Sequence, residues 1–359
     1  MRVHFICKRY YTNKDLFKDR FGRLYHLPVE LARRGVQVSV DAIDYKSVHG
    51  EKFESEGVAF QSIPAVRSKL FAIPFSLARN ARKKNPDIII ASGDSHIGFI
   101  AMLIAKRLGA RFVFDVYDYY PAFRGNAIPG MKMLFSRSVK GAKLVLCASE
   151  QLMNELLPLN KKRLLIENGV DPKLFCPSDM SIARKDLGLA EEFQYIGYFG
   201  SIDRDRGPLL IEACRILREE FPLLHLLFAG NVTKVDLNEP WIMYFGELPQ
   251  NKLPMLINAC NLVAVPYSIT DQIKLSGACK IAEYLACDKP VVATCVSDHE
   301  QIFREAPRSL SEPTANSLAE AIKRQLENPQ IASFPVRLSW NHIGIKLLES
   351  LKIEMNSSV

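Results

Sequence analysis

Residues 262–294, reading LVAVPYSITDQIKLSGACKIAEYLACDKPVVAT, constrain the fold more than any other stretch of this chain. A short apolar run, Leu262–Val265, is stopped by Pro266, and a polar loop follows in which Gly277 is expected to let the backbone turn sharply. From Lys280 to Ala286 the spacing is helical, with Ile281, Tyr284 and Leu285 on one face. Asp288-Lys-Pro290 ends that helix, and Val291–Thr294 is a second apolar run of the kind buried on both faces of a parallel sheet. Strand, loop, helix, strand in this order is a parallel crossover, because the helix carries the chain back across the sheet.

The same rhythm runs along the whole chain. Strand-like runs at 2–7, 36–40, 57–63, 87–92, 111–115 and 144–149 alternate with helical patterns at 24–35, 71–83 and 97–108. After residue 165 the strands 195–200 and 225–229 and the helices 208–220, 253–259, 317–326 and 340–353 repeat it. Such alternation predicts an α/β fold of parallel sheets wrapped by helices, and 359 residues are enough for two domains of ordinary size.

Hydrophobic residues at 48% and charged residues at 24% are those of a soluble globular chain, and no apolar run reaches 18 residues. Met1 to Cys7 reads as a strand rather than a signal peptide, and the eight cysteines form no C-x-x-C pair, so buried thiols in a reducing compartment are expected. Charge is uneven. Residues 1–165 hold 28 Lys+Arg against 14 Asp+Glu, a net of +14, whereas residues 166–359 hold 19 against 25, a net of −6. Nucleic acid, an anionic membrane or an acidic substrate would each answer the basic half.

Lys280 and Glu283 lie one helical turn apart at the start of a helix, where free N–H groups and the dipole favour a phosphate. A carboxylate there can accept two ribose hydroxyls, with a lysine beside it for an anionic leaving group. An ordinary surface ion pair would show the same spacing. Asp118 follows a strand, where ligands of parallel sheets sit, but it would also serve to cap a turn. Between 123 and 143, Arg124, Lys132, Arg137, Lys140 and Lys143 alternate with Met131, Met133, Leu134 and Phe135. This is either a membrane-surface helix or one packed on its own domain. Gly22 opens the first helix, and Asp203-Arg-Asp205 reads as loop charge rather than a metal site.

Lys280-x-x-Glu283-Tyr284 and the tail from Ala286 to Ala293 resemble the nucleotide-sugar signature of GT-B glycosyltransferases, the retaining group 1 or family 4 in its Lys-x-x-Glu-Tyr branch. Asp288 stands where that family has glycine, and Leu275 where many members have a first glutamate. Four further stretches resemble the family in the family's order: Gly22 at the first helix, Asp118-x-x-Pro121 with Tyr117 at the usual histidine, Asn168-Gly-Val-Asp171, and Gly200-Ser201 to Arg206-Gly207. Ser201 replaces a family cation there, a charge that Arg204 would supply from another position.

The resemblance implies two Rossmann-like doubly wound parallel-sheet domains facing across a cleft. They are an acceptor-binding domain at 1–167 and a nucleotide-sugar domain at 168–338, and a helix at 339–359 crosses back to the first. It implies catalytic roles for Asp118, Arg206 and Lys280, and places Gly22, Gly200, Ser201, Arg206, Lys280, Ile281 and Glu283 around the donor. The implied reaction moves a sugar from a nucleotide-sugar to a glycan or lipid-linked acceptor, anionic in keeping with the basic first half. It proceeds with retention, needs no metal or other cofactor, and involves no nucleic acid. The implied setting is cell-surface polysaccharide synthesis in the cytoplasm, peripheral to the inner membrane. A non-catalytic nucleotide-binding partner of another transferase and a sugar-nucleotide epimerase remain alternatives on the same fold.

Overall fold

The computed structural model describes residues 1–11, 14–123, 128–277 and 279–356. The chain forms two compact units: Met1–Gly169 with Leu275–Gly277 and Trp340–Val359, and Val170–Lys274 with Ala278–Ser339.

In the first unit the strands are β1 (Arg2–Lys8), a hairpin of β2 (Tyr10–Tyr11) and β3 (Lys14–Asp15), β4 (Gln37–Asp44), β5 (Lys52–Ser55), β6 (Val58–Pro64), β7 (Ile88–Ser92), β8 (Arg111–Val116), β9 (Leu144–Cys147) and β10 (Arg163–Leu165). Eight of them form one sheet in the order β10-β9-β8-β7-β1-β4-β6-β5. All neighbours are parallel except β5 on β6. The apolar runs become its centre: Phe5 of β1 pairs with Val40 on one side and Ile90 on the other, and all three are buried. Strand β5 escapes sequence reading because it is an edge, where exposed Lys52 and Glu54 dilute the apolar signal of Phe53. The order reverses at β1, with β4 on one flank and β7 on the other, so the carboxyl ends of β1 and β7 mark this unit's ligand-binding edge.

Helix Trp340–Asn356 belongs to this unit and lies on helix Arg23–Ala32. Its Gly344 allows the approach, since a Cβ there would stand 2.6 Å from Cβ of Glu30. Trp340 stacks on His26 with ring centres 4.9 Å apart, and Arg34 donates to the side chain and carbonyl of Asn341. The basic stretch forms helix Met131–Gly141, which buries Phe135 and Val139 in the unit's own core and leaves Lys132, Arg137 and Lys140 exposed. Arg124, assigned to the same stretch by its sequence, lies outside the described residues.

The second unit carries β11 (Gln194–Phe199), β12 (Leu224–Ala229), β13 (Ile242–Tyr244), β14 (Leu262–Val265), β15 (Val291–Thr294) and β16 (Leu310–Ser311), all parallel in the order β13-β12-β11-β14-β15-β16. Here the reversal falls at β11, between β12 and β14. The two strands and helix Cys279–Ala286 of the opening stretch form as its pattern predicts. Gly277, which belongs with the first unit, serves differently from expectation. Its φ is not in the left-handed region, and glycine is needed for space: a Cβ would meet the Ala148 carbonyl and the Asn168 amide nitrogen, each at 2.9 Å. Left-handed backbone instead falls on Asp288, at φ 54°, which accounts for the family's glycine at that position.

Candidate functional site

In the second unit the candidate residues gather at the carboxyl ends of β11, β14 and β15, where the strand order reverses. Gly200 follows β11 and donates its N–H to the Ala229 carbonyl at 2.9 Å. Neighbouring Gly230, at φ 135°, must be glycine, because a Cβ there would fall 1.9 Å from the Gly200 carbonyl oxygen. At Gly200 itself a Cβ would stand 3.3 Å from Cε of Lys280, so this bare backbone lets the lysine pass.

Lys280 donates to Oε2 of Glu283 at 3.2 Å, and Gln250 donates to the other carboxylate oxygen at 3.3 Å. Sequence reasoning missed Gln250, which lies 33 residues away and carries no pattern. Glu283 is buried, with one partner on each oxygen, and a carboxylate accepts about four hydrogen bonds in all, leaving capacity for two hydroxyls. Burial alone would push the Lys280 ammonium down, but the Glu283 carboxylate, with Cys279 and Tyr267, holds it above its ordinary value, so it stays cationic.

Arg206 enters from the loop after β11. It pairs with Asp203 at 2.9 Å and lies over the ring of Tyr267, 5.5 Å from its centre. Burial opposes its charge too, and Tyr267, Tyr198 and Asp203 raise it. Tyr267 feels both Arg206 and Lys280, each lowering a hydroxyl that burial pushes up to about 12. Two cations therefore flank one tyrosine beside a glycine backbone, which is a setting for a diphosphate. Tyr284 fixes the helix: its buried hydroxyl accepts the N–H of Phe199 at 3.0 Å, tying the Lys-x-x-Glu-Tyr segment to β11.

Two expected contributors fall elsewhere. The Ile281 side chain is fully buried in the second unit's core, so it packs the helix instead of facing a ligand. Ser201 is exposed, and its carbonyl accepts from the Tyr198 hydroxyl at 2.9 Å. Arg204 is also exposed, whereas Asp203 is occupied by Arg206 and by the backbone N–H of Asp205.

In the first unit Gly22 begins helix Arg23–Ala32 with φ 67° and ψ −169°, a combination reserved for glycine. The next residue, Arg23, turns inward. Arg23 is 1% exposed and grips Asp115 of β8 through two nitrogens, at 2.5 and 3.2 Å. It also donates to the Ile166 carbonyl at 2.9 Å and to Asn168 at 3.1 Å, while Ser92 donates to Asp115 at 2.8 Å. Three motif stretches, those of Gly22, Asp118 and Asn168, are thus pinned by one buried ion pair. The signal was present in the sequence, because an aspartate inside the apolar run Phe112-Val-Phe-Asp-Val116 requires a buried partner.

Asp118 is half-buried just beyond β8, and its carbonyl accepts the Tyr120 N–H in a turn. Tyr117 is sealed in, edge-on to Tyr11 at 4.9 Å and to Tyr120 at 5.5 Å. Burial pushes its hydroxyl well above the ordinary range, so it does not replace the proton chemistry of the family's histidine. At the reversal of this sheet, Lys8 pairs with Asp94 at 3.3 Å, and His96 meets the Tyr45 hydroxyl at 2.7 Å. Burial lowers the His96 pKa, opposed by Asp94. Sequence analysis singled out none of these four.

Residues 23–174 match the family model Glycosyltransferase Family 4, and residues 193–328 match Glycosyl transferases group 1. No curated protein matches the chain. Among solved structures it is similar to sucrose-phosphate synthase from Thermosynechococcus elongatus, with TM-score 0.77 at 19% identity, over 99% of this chain and 100% of that one. It is similar to HepE of Anabaena in complex with UDP, with TM-score 0.75 at 17% identity, over 98% and 100%. It is also similar to a trehalose-phosphate synthase from Burkholderia xenovorans in complex with glucose-6-phosphate, with TM-score 0.70 at 15% identity, over 99% and 100%. All three share its two-sheet α/β architecture.

Proposed function

Because the chain belongs to the group 1 glycosyltransferases of GT-B fold, we propose that it moves a sugar from a nucleoside-diphosphate donor held by its second unit to a glycan or lipid-linked acceptor, with retention of configuration. The observation that carries this reading is the cluster of Lys280, Glu283 and Arg206 against the glycine backbone at Gly200. Glu283 holds the ribose by accepting its hydroxyls. Lys280 and Arg206 meet the diphosphate, and as the glycosidic bond breaks they stabilise the charge gathering on the leaving phosphate. Both are fixed before reaction, Lys280 by Glu283 and Arg206 by Asp203 and Tyr267, so little reorganisation opposes the step. These two cations serve in place of a metal. Asp118, beyond β8 in the acceptor-binding first unit, is the residue there assigned to the reacting sugar. The basic character of that unit suits an acceptor bearing phosphate or uronic acid, of the kind used in cell-surface polysaccharide synthesis at a membrane face.

HepE has been seen with UDP and with UDP-glucose, so UDP-sugars are the first donors to test. Release of free nucleoside diphosphate, dependent on added acceptor and insensitive to EDTA, is the expected result. The buried Tyr117 in place of a histidine keeps a second reading, a non-catalytic nucleotide-binding partner. Tight donor binding with no diphosphate released under any acceptor would favour that one.

A further inference from the structure

Residues 57–86 contain no acidic residue and six basic ones: Arg67, Lys69, Arg79, Arg82, Lys83 and Lys84. In the structure this segment also carries the most exposed aromatic side chains of the described residues. Phe71 is 82% exposed and Phe75 is 78% exposed, with Leu70 exposed beside them. Helix Ile73–Lys84 turns Ile73, Leu77 and Ala81 into the first unit's core. At 100° per residue, Phe75, Arg79, Arg82 and Lys83 then fall on the opposite side, so aromatic and cationic groups share one outward face. Lys69 donates to the Val48 carbonyl at 2.5 Å, which brings another exposed apolar residue alongside. Among the described residues no ion pair includes Arg79, Arg82 or Lys83.

We propose that this face, centred on Leu70, Phe71 and Phe75, docks the first unit on an anionic lipid bilayer. The aromatic rings insert at the headgroup level, and Arg79, Arg82 and Lys83 meet lipid phosphates. Charge selects this occupant over a second copy of the chain, since an isologous contact would set the same unpaired cations against each other. The helix Met131–Gly141 is less suited, because Met133 is its one exposed large apolar side chain and it presents no exposed aromatic ring. The inference rests on the membrane-facing part of the reading above, and the two fail separately.

Sedimentation of the full chain with phosphatidylglycerol–phosphatidylcholine vesicles, and with phosphatidylcholine alone, tests it. The expected result is binding to the anionic vesicles only, weakening from low to physiological salt as screening shortens to about 8 Å. The pair Phe71→Ser, Phe75→Ser should lower the bound fraction at least tenfold, as should Arg79→Gln, Arg82→Gln, Lys83→Gln. The control Lys132→Gln, Arg137→Gln, Lys140→Gln should bind like the parent. Both Phe variants are surface changes, so diphosphate release with a soluble acceptor should not change. A parent that binds neither vesicle at low salt, or Phe variants that bind like it, overturns the proposal. So does a concentration-dependent dimer in sedimentation equilibrium that the Phe pair abolishes, which gives the face to a second copy. Vesicle binding without diphosphate release sinks the transferase reading and leaves this one standing.

Discussion

At the scale of single residues, two ion pairs of similar appearance have opposite consequences. Arg23 and Asp115 are both fully buried, so removing one partner strands the other charge. Arg23→Ala should therefore cost about 3–5 kcal/mol in denaturant unfolding, without a specific effect on donor affinity. A loss under 1 kcal/mol would show that water reaches Asp115 and that the pair is not the anchor described. Lys280 and Glu283 have spare donor and acceptor capacity and face a bare glycine. Glu283→Gln keeps the shape, and donor affinity measured by calorimetry should fall by roughly 1–3 kcal/mol, the range for a hydrogen bond to a charged group. Alanine at Arg206 or Lys280 should lower kcat by about 10²–10³, as for loss of one transition-state donor, with no recovery in added Mg²⁺. Unchanged kcat in both would remove the leaving-group role.

Elements were legible where burial is two-sided and illegible where it is not. Leu262–Val265, Leu253–Ala259 and Val291–Thr294 could be delimited from pattern because every residue between their stops is apolar or helically spaced. Strand β5 and the two-residue β16 carry too few buried positions to leave a signal. The five motif stretches were legible by resemblance, but not the way Arg23 joins three of them, because sequence spacing does not record contacts 92 and 145 residues apart. Past β15, helix His299–Ile302 offers a pH test of the second unit. Burial pushes the His299 imidazole down to about 4, against a hydrogen bond to the Thr294 carbonyl that pulls it up. An unfolded chain takes up that proton near pH 6.5, and the folded one does so only near 4. Stability therefore falls as pH drops through this window, by up to roughly 3 kcal/mol. In His299→Gln the slope of unfolding free energy against pH between 6.5 and 4 should flatten. An unaltered slope would mean that other groups carry it.

For the molecule as a whole, the decisive fact is that the first unit draws on both ends of the described chain. Trp340 is buried against His26 and Gly169, so Trp340→Ala should cost about 3–5 kcal/mol. Hydrogen exchange should show the loss in Arg23–Ala32 and in β8 and β9, with β11 and β14 unaffected; a uniform loss would mean that the two units unfold as one. The same arrangement orders events during biosynthesis. Residues 1–169 emerge first, yet the helix that seats on Arg23–Ala32 is encoded after residue 339. At about 5–20 residues per second, the intervening 170 residues keep the ribosome busy for roughly 8–34 s. Throughout that interval the earlier-made half is a nascent chain whose core lacks Trp340, Ile343, Leu347 and Leu351, and a chaperone that binds apolar surface has its longest opportunity there. The later-made unit, whose own segments are nearly all contiguous, completes its fold before its predecessor does.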